Sequence, residues 1–177
     1  MTRAEPRPPP SALKYSGYGV PIPTKTQNAS IGGVYRNQED DFLLGYAEHI
    51  GKATSSVAEL VAAKRGLELA LENKWLDLWI EGDAKDVINV LLNRVVLKSK
   101  EDAKHAIDIN EMVTMFRRFN ASHVYRKANK VADKFAKMGY KMNKPRIWKH
   151  GPPNEVLRLL YGDSKGTEFH ARNNSVK

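Results

Sequence analysis

The chain has 177 residues, 41% of them hydrophobic and 28% charged, which is enough apolar material for one packed domain and too much for general disorder. It contains no cysteine, so disulfide scaffolds, thiol nucleophiles and cysteine-based metal centres are excluded. No apolar run approaches the roughly 18 residues of a membrane span, and the opening MTRAEPRPPP has no apolar signal core, so an intracellular protein without a membrane partner is expected.

The net charge of +9 is unevenly spread. Residues 1–30 carry four basic and one acidic side chain, and residues 141–177 carry eight and three, so the two ends hold most of the excess. Within the centre, 116–140 carries seven basic residues against one acid. Clustered positive charge of this kind is the footprint of a polyanion, because each phosphate neutralised releases condensed counterions. An ordinary solvated surface is the alternative.

Residues 1–30 hold six prolines and read as an extended arm, whose Tyr15 and Tyr18 are free to dock on a surface. Ile31–Asn37 and Phe42–Glu48 read as strands joined by a polar turn. Ser56–Asn73 follows as a helix with an apolar stripe of Val57, Leu60, Val61, Leu67 and Leu71; Ser56 and Glu59 have capping-box spacing. Alternation over residues 76–81 predicts a strand, and Gly82-Asp83 opens a short helix. A helix over about 103–118, a strand at Ala121–Arg126 and a helix at Asn129–Met138 complete the pattern, with a helical turn or two at Asn154–Tyr161. The order is that of a mixed α/β domain. The expected division is a Pro-rich basic arm (1–24), the domain (25–140) and a basic extension (141–177).

Three acids stand where such a scaffold can gather them: Glu59 early in the long helix, Asp83 just past a strand, and Asp133 inside the last helix. Hard divalent cations prefer carboxylate oxygens, and two ions held close together can stabilise both the attacking and the leaving oxygen of phosphoryl chemistry. Each acid also has a plain structural reading. Glu59 can partner Ser56 in a capping box, Asp83 can cap a helix, and Asp133 can pair with Lys130 or Lys137. The five histidines show no metal-ligand spacing, there is no Ser-His-Asp triad, and no glycine-rich phosphate loop is present. The best basic face comprises Arg117, Arg118, Arg126, Lys127, Lys130, Lys134 and Lys137. Beyond it lie Lys144, Arg146 and Lys149, with Trp148 among them as a ring on which a base or ribose can stack.

Four blocks carry a family resemblance. Ile31-Gly32-Gly33-Val34-Tyr35-Arg36-Asn37 is the first. Ala58-Glu59-Leu60 with Gly66-Leu67-Glu68-Leu69-Ala70 is the second, and Glu81-Gly82-Asp83-Ala84 the third. The fourth runs from His123 to Asp133 as HVYRKANKVAD. In this order they resemble the plant-type ribonuclease H-like domain found in the reverse transcriptases of retroelements. The resemblance implies a five-stranded mixed sheet with a degraded first strand and helices on both faces. It also implies four carboxylates holding two magnesium ions, which cut the RNA strand of an RNA–DNA hybrid. Glu59, Asp83 and Asp133 match the second, third and fourth. The first belongs to an opening block reading Thr-Asp-Gly-Ala-Ser, whose best match here is Thr26-Gln27-Asn28-Ala29-Ser30, with Gln27 at the aspartate's place. A neutral amide oxygen is a poor bridge between two dications, so a degenerate site that requires no cofactor is expected, with magnesium its ion if activity remains.

Three functions are compatible with these readings. The first is a non-catalytic RNA-binding subunit of a ribonucleoprotein, contacting RNA, specifically ribosomal RNA, and neighbouring proteins. A plant mitochondrial ribosome, hence the mitochondrial matrix, is the most specific host. The others are an active hybrid-cutting ribonuclease H and a protein-interaction adaptor. No small-molecule substrate is expected.

Overall fold

The computed structural model describes residues 13–21, 28–94, 97 and 99–160. The elements run β1 (Leu13–Pro21), β2 (Asn28–Arg36), β3 (Phe42–Lys52), α1 (Ser55–Glu72), β4 (Asp77–Gly82), α2 (Lys85–Leu91), α3 (Lys100–Val113), β5 (Arg118–His123), a 3-10 turn at Arg126–Asn129, α4 (Lys130–Gly139) and β6 (Arg146–Trp148). They form one sheet in the order β5-β4-β1-β2-β3-β6. β1 runs antiparallel to β2 and parallel to β4, which is in turn parallel to β5. No helix among the described residues is long and apolar enough to cross a membrane.

The opening strand is the main correction to the sequence reading. Residues 13–21, assigned there to the Pro-rich arm, form β1 near the middle of the sheet, with Tyr15 fully buried rather than free to dock. Only Leu13–Ser16 pair with β4, so Pro21, which has no N–H to donate, falls where β1 is bonded on the β2 side alone. The sheet has six strands because β6 adds to β3, pairing Gly45–Ala47 with Arg146–Trp148. Residues 141–160 are therefore partly structural: Val156 and Leu160, in a helical segment over 154–160, pack with Val34, Val131 and Phe135.

Period-two alternation along β2 divides the molecule into two layers. Ile31 and Tyr35 face the larger core with α1, while Val34 faces Phe135 and Val131 of α4 on the opposite side. In the larger core, Tyr15, Tyr35 and Tyr46 are fully buried. A buried hydroxyl needs a partner. Tyr46 donates to the Ala62 carbonyl at 2.9 Å, the Tyr15 and Tyr46 hydroxyls share a 2.7 Å bond, and Tyr35 donates to the Gly66 carbonyl. Burial pushes all three hydroxyls above the ordinary tyrosine range. Glycine at 66 is what lets Tyr15 lie against α1, since a Cβ there would stand 2.2 Å from the tyrosine ring. On the other face, a Cβ on Gly32 would meet the Ala136 backbone nitrogen at 2.2 Å, so α4 rests directly on β2.

β5 and α3 begin earlier than the periodicity predicts. Ser99 caps α3 by accepting from the Asp102 amide, with Glu101 and Asp102 in the first turn complementing the helix dipole. Phe116 then turns into the core, and β5 starts at Arg118, opposite Asp77 of β4. β4 itself is buried over Asp77–Ile80 rather than alternating, as expected of a parallel strand between two neighbours and covered on both faces.

Candidate functional site

The parallel strands β4 and β5 end together at Gly82 and His123, beside Ser16 and Gly17 in the middle of β1, and Glu59 and Asp83 lie around that end. α1 is capped by Thr54, whose hydroxyl accepts from the Val57 amide at 3.2 Å. Ser56 therefore sits inside the helix and donates to Asp102 at 3.0 Å, which removes the capping-box reading of Glu59. Glu59 instead lines a small cavity with Tyr15, Gly17, Glu81, Gly82 and Ala84, whose volume of about 20 Å³ is room for roughly one water.

Asp83 is likewise no helix cap, because the cap position of α2 is Ala84. Its Oδ1 accepts from Asn129 Nδ2 at 2.9 Å, and the same amide donates to the Gly17 carbonyl at 3.2 Å. His123 Nε2 lies 3.2 Å from the Asp83 carbonyl oxygen. Asn129, 1% exposed, thus ties the turn before α4 to the middle of β1 and the end of β4. Within the HVYRKANKVAD block its residue type alone does not single it out. The available signal was its position four residues before Asp133, one helical turn away.

Asp133 takes the partner that its helical spacing offers: Lys137 Nζ lies 2.7 Å from Oδ2. Its Oδ1 is buried and has no hydrogen-bond partner among the described residues.

The placement of β1 offers a second candidate for the first-carboxylate position. Within Tyr15-Ser16-Gly17, Ser16 is paired in register with Glu81, two residues before Asp83, and Ser16-Gly17 stands where the family's Asp-Gly belongs. Ser16 is thus the candidate that β1 offers for that position, while Gln27, expected there from the sequence, lies outside the described residues. Asp40 and Asp41 do not substitute. Asp40 pairs with Lys14 at 3.1 Å, and Asp41 bonds Asn37 at the far end of the sheet.

A pair of magnesium ions needs several carboxylate oxygens converging on one point. Here one position is a serine, one carboxylate holds an amide, and one holds an ammonium group. Among the described residues, no group of three or more His, Asp or Glu side chains could hold a metal ion. The residues do not fit a two-ion centre.

The basic residues divide into two groups. Arg126 and Lys127 lie on the 3-10 turn and Lys130, Lys134 and Lys137 on α4, at and beyond the Asp83 end. Arg117 and Arg118 sit at the opposite end of the sheet, and both bind buried Asp77. Arg117 does so at 2.9 and 2.6 Å, and Arg118 at 2.6 Å. These hydrogen bonds hold the Asp77 carboxyl well below the usual carboxylate range. The two arginines are therefore not part of one continuous face with Lys127. Trp148 also differs from its expected role. Its ring packs on Phe135 at 5.4 Å with the Arg146 guanidinium 5.0 Å from its centroid, so it serves the α4 layer instead of standing free for a base. Lys144 borders a polar pocket with His49 and Tyr140, and Lys149 is exposed.

The sequence matches the model of the family described as reverse transcriptase-like over residues 19–139. A search of the curated proteins finds no match. Among solved structures, the chain is similar to RNase H1 from the halophilic archaeon Halobacterium salinarum. That match has 22% identity and a TM-score of 0.67, covering 73% of this chain and 97% of the other. It is also similar to the N-terminal RNase H domain of a Mycobacterium tuberculosis protein, solved as a fusion with maltose-binding protein (24% identity, TM-score 0.68, covering 73% and 93%). A third similar structure is LC11-RNase H1 in complex with an RNA/DNA hybrid (20% identity, TM-score 0.65, covering 71% and 94%).

Proposed function

Since the chain belongs to the reverse transcriptase-like family of ribonuclease H-like domains, we propose that it is a non-catalytic member that binds RNA as a structural subunit of a ribonucleoprotein. The observation that carries this reading is Ser16. Ser16, a residue type that carries no carboxylate, is paired in backbone register with Glu81, where the family's chemistry needs an aspartate. Lys137 on Asp133 supports it, because an ammonium group already supplies the positive charge that an ion would bring to that carboxylate. Nucleic acid is the partner best matched by the cations at the Asp83 end and by the basic sequence at both ends of the chain. The similar LC11-RNase H1 structure, solved with an RNA/DNA hybrid, supports the same class of partner. A ribosome, specifically an organelle ribosome, is the particle we propose.

One observation favours an active nuclease instead: Asp133 Oδ1 is buried without a hydrogen-bond partner among the described residues, as an ion ligand would be. Cleavage of a labelled RNA–DNA hybrid in magnesium and in manganese decides between the two. The unaltered chain is expected not to cut. Cutting that Asp83→Asn abolishes would overturn the proposal. Ser16→Asp, run in parallel, reports whether the one missing carboxylate is what silences the site.

A further inference from the structure

Tyr125 is the most exposed large hydrophobic side chain among the described residues, at 82%. A single exposed apolar residue is ordinary, but this one has distinctive surroundings. It directly precedes the basic 3-10 turn, with its backbone extended at φ −71° and ψ 150°. The His123 ring makes an edge contact with it at 5.8 Å and 78°, and His123 is itself anchored 3.2 Å from the Asp83 carbonyl oxygen. The tyrosine is therefore braced on one side, while its exposure leaves a ring face open to solvent. Arg126, Lys127 and Lys130 follow it and are all exposed. Lys127 and Lys130 form no ion pair among the described residues.

An open aromatic face beside unpaired cations matches a nucleotide, with its base on the ring and its phosphate against the ammonium groups. Within a duplex the base faces are already stacked and only the terminal pairs leave one open, so along an RNA strand the bases that can cover this ring are the unpaired ones. Resting on the RNA-binding reading above, we infer that Tyr125 is a stacking platform for an unpaired base of the bound RNA, with Lys127 and Lys130 holding the flanking phosphates. The ligand class is thereby narrowed to a single-stranded segment, loop or bulge.

The test compares the full chain with Tyr125→Ala and Tyr125→Phe on a short oligouridine strand and on a blunt RNA duplex, across a salt series. Tyr125→Ala is expected to weaken oligouridine binding by roughly tenfold or more. It should leave duplex binding and the salt slope unchanged, because no charge is lost. Tyr125→Phe should retain the affinity. Undiminished oligouridine binding by Tyr125→Ala, an equal loss on both RNAs, or failure of phenylalanine to restore binding would overturn the inference while the RNA-binding reading stands. If the unaltered chain binds neither RNA, that reading fails and the inference falls with it.

Discussion

β4 has an aspartate at each end, and the two do opposite work. Asp77 opens the strand, is buried, and is clasped by Arg117 and Arg118. Asp83 lies just past the strand's other end and accepts only a neutral amide from Asn129, while nearby Lys127 and Lys130 stay unpaired among the described residues. At the first end the cations are used up in holding the fold. At the second they remain available to a polyanion. A count of basic residues over 116–140 merges two groups that the sheet separates by the length of a strand. Removing a cation should therefore mean different things at the two ends.

The largest expected effect on stability is at the Asp77 end. Asp77→Ala removes the common partner of two guanidinium groups and leaves a void at a buried position, so the thermal midpoint should fall by several degrees, read by circular dichroism. The pH dependence sharpens the same point. Asp77 has a depressed carboxyl in the folded state, so its stabilising contribution is complete above about pH 4 and is lost as the pH falls further through the folded value. Denaturant unfolding followed below pH 4 should show a shallower acid loss in Asp77→Asn than in the unaltered chain. At the alkaline limit the sign reverses for the tyrosine core. Folded hydroxyls titrate above the unfolded value, so stability should decline as the pH rises past about 10, and Tyr35→Phe should lessen that decline.

The two cation groups can be separated directly. The double change Lys127→Ala and Lys130→Ala should lower the slope of log affinity for RNA against log salt by roughly 1.5, at little cost in stability. Arg117→Ala with Arg118→Ala should do the reverse. Equal changes in slope from both pairs would break the comparison. The smallest effect is expected at Asp83→Asn. Asparagine can still accept from Asn129, so unfolding free energy should change by no more than about 0.5 kcal/mol. That outcome would leave this variant a clean control for the cleavage assay.

Much of the fold and part of the site are legible along the chain. The stripe of α1, the strand at β4 and the helix at α4 follow from local periodicity, and the four family blocks locate Glu59, Asp83 and Asp133. Ser16 was not legible. β1 has a short apolar pattern broken by Gly17 and Gly19 and ends at a proline, so local propensity argues against a strand that two neighbours stabilise. The structural readings of Glu59 and Asp83 were also undecidable from spacing. Which residue caps α1 or α2 depends on where each helix begins, and a shift of one or two residues replaces Ser56 by Thr54 and Asp83 by Ala84.

The sequence by itself determined the family, the order of elements from residue 31 to 139, and the excess of positive charge. These depend on residue identity and on repeats no longer than a helical turn. The tertiary structure decided which strand opens the sheet, that Ser16 stands beside Glu81, that Asn129 reaches Gly17 across 112 positions, and which arginines are tied to Asp77. Those outcomes rest on strand pairing and on contacts between residues distant in the chain. Their free energy comes from burial and hydrogen bonding that exist only once the layers have closed.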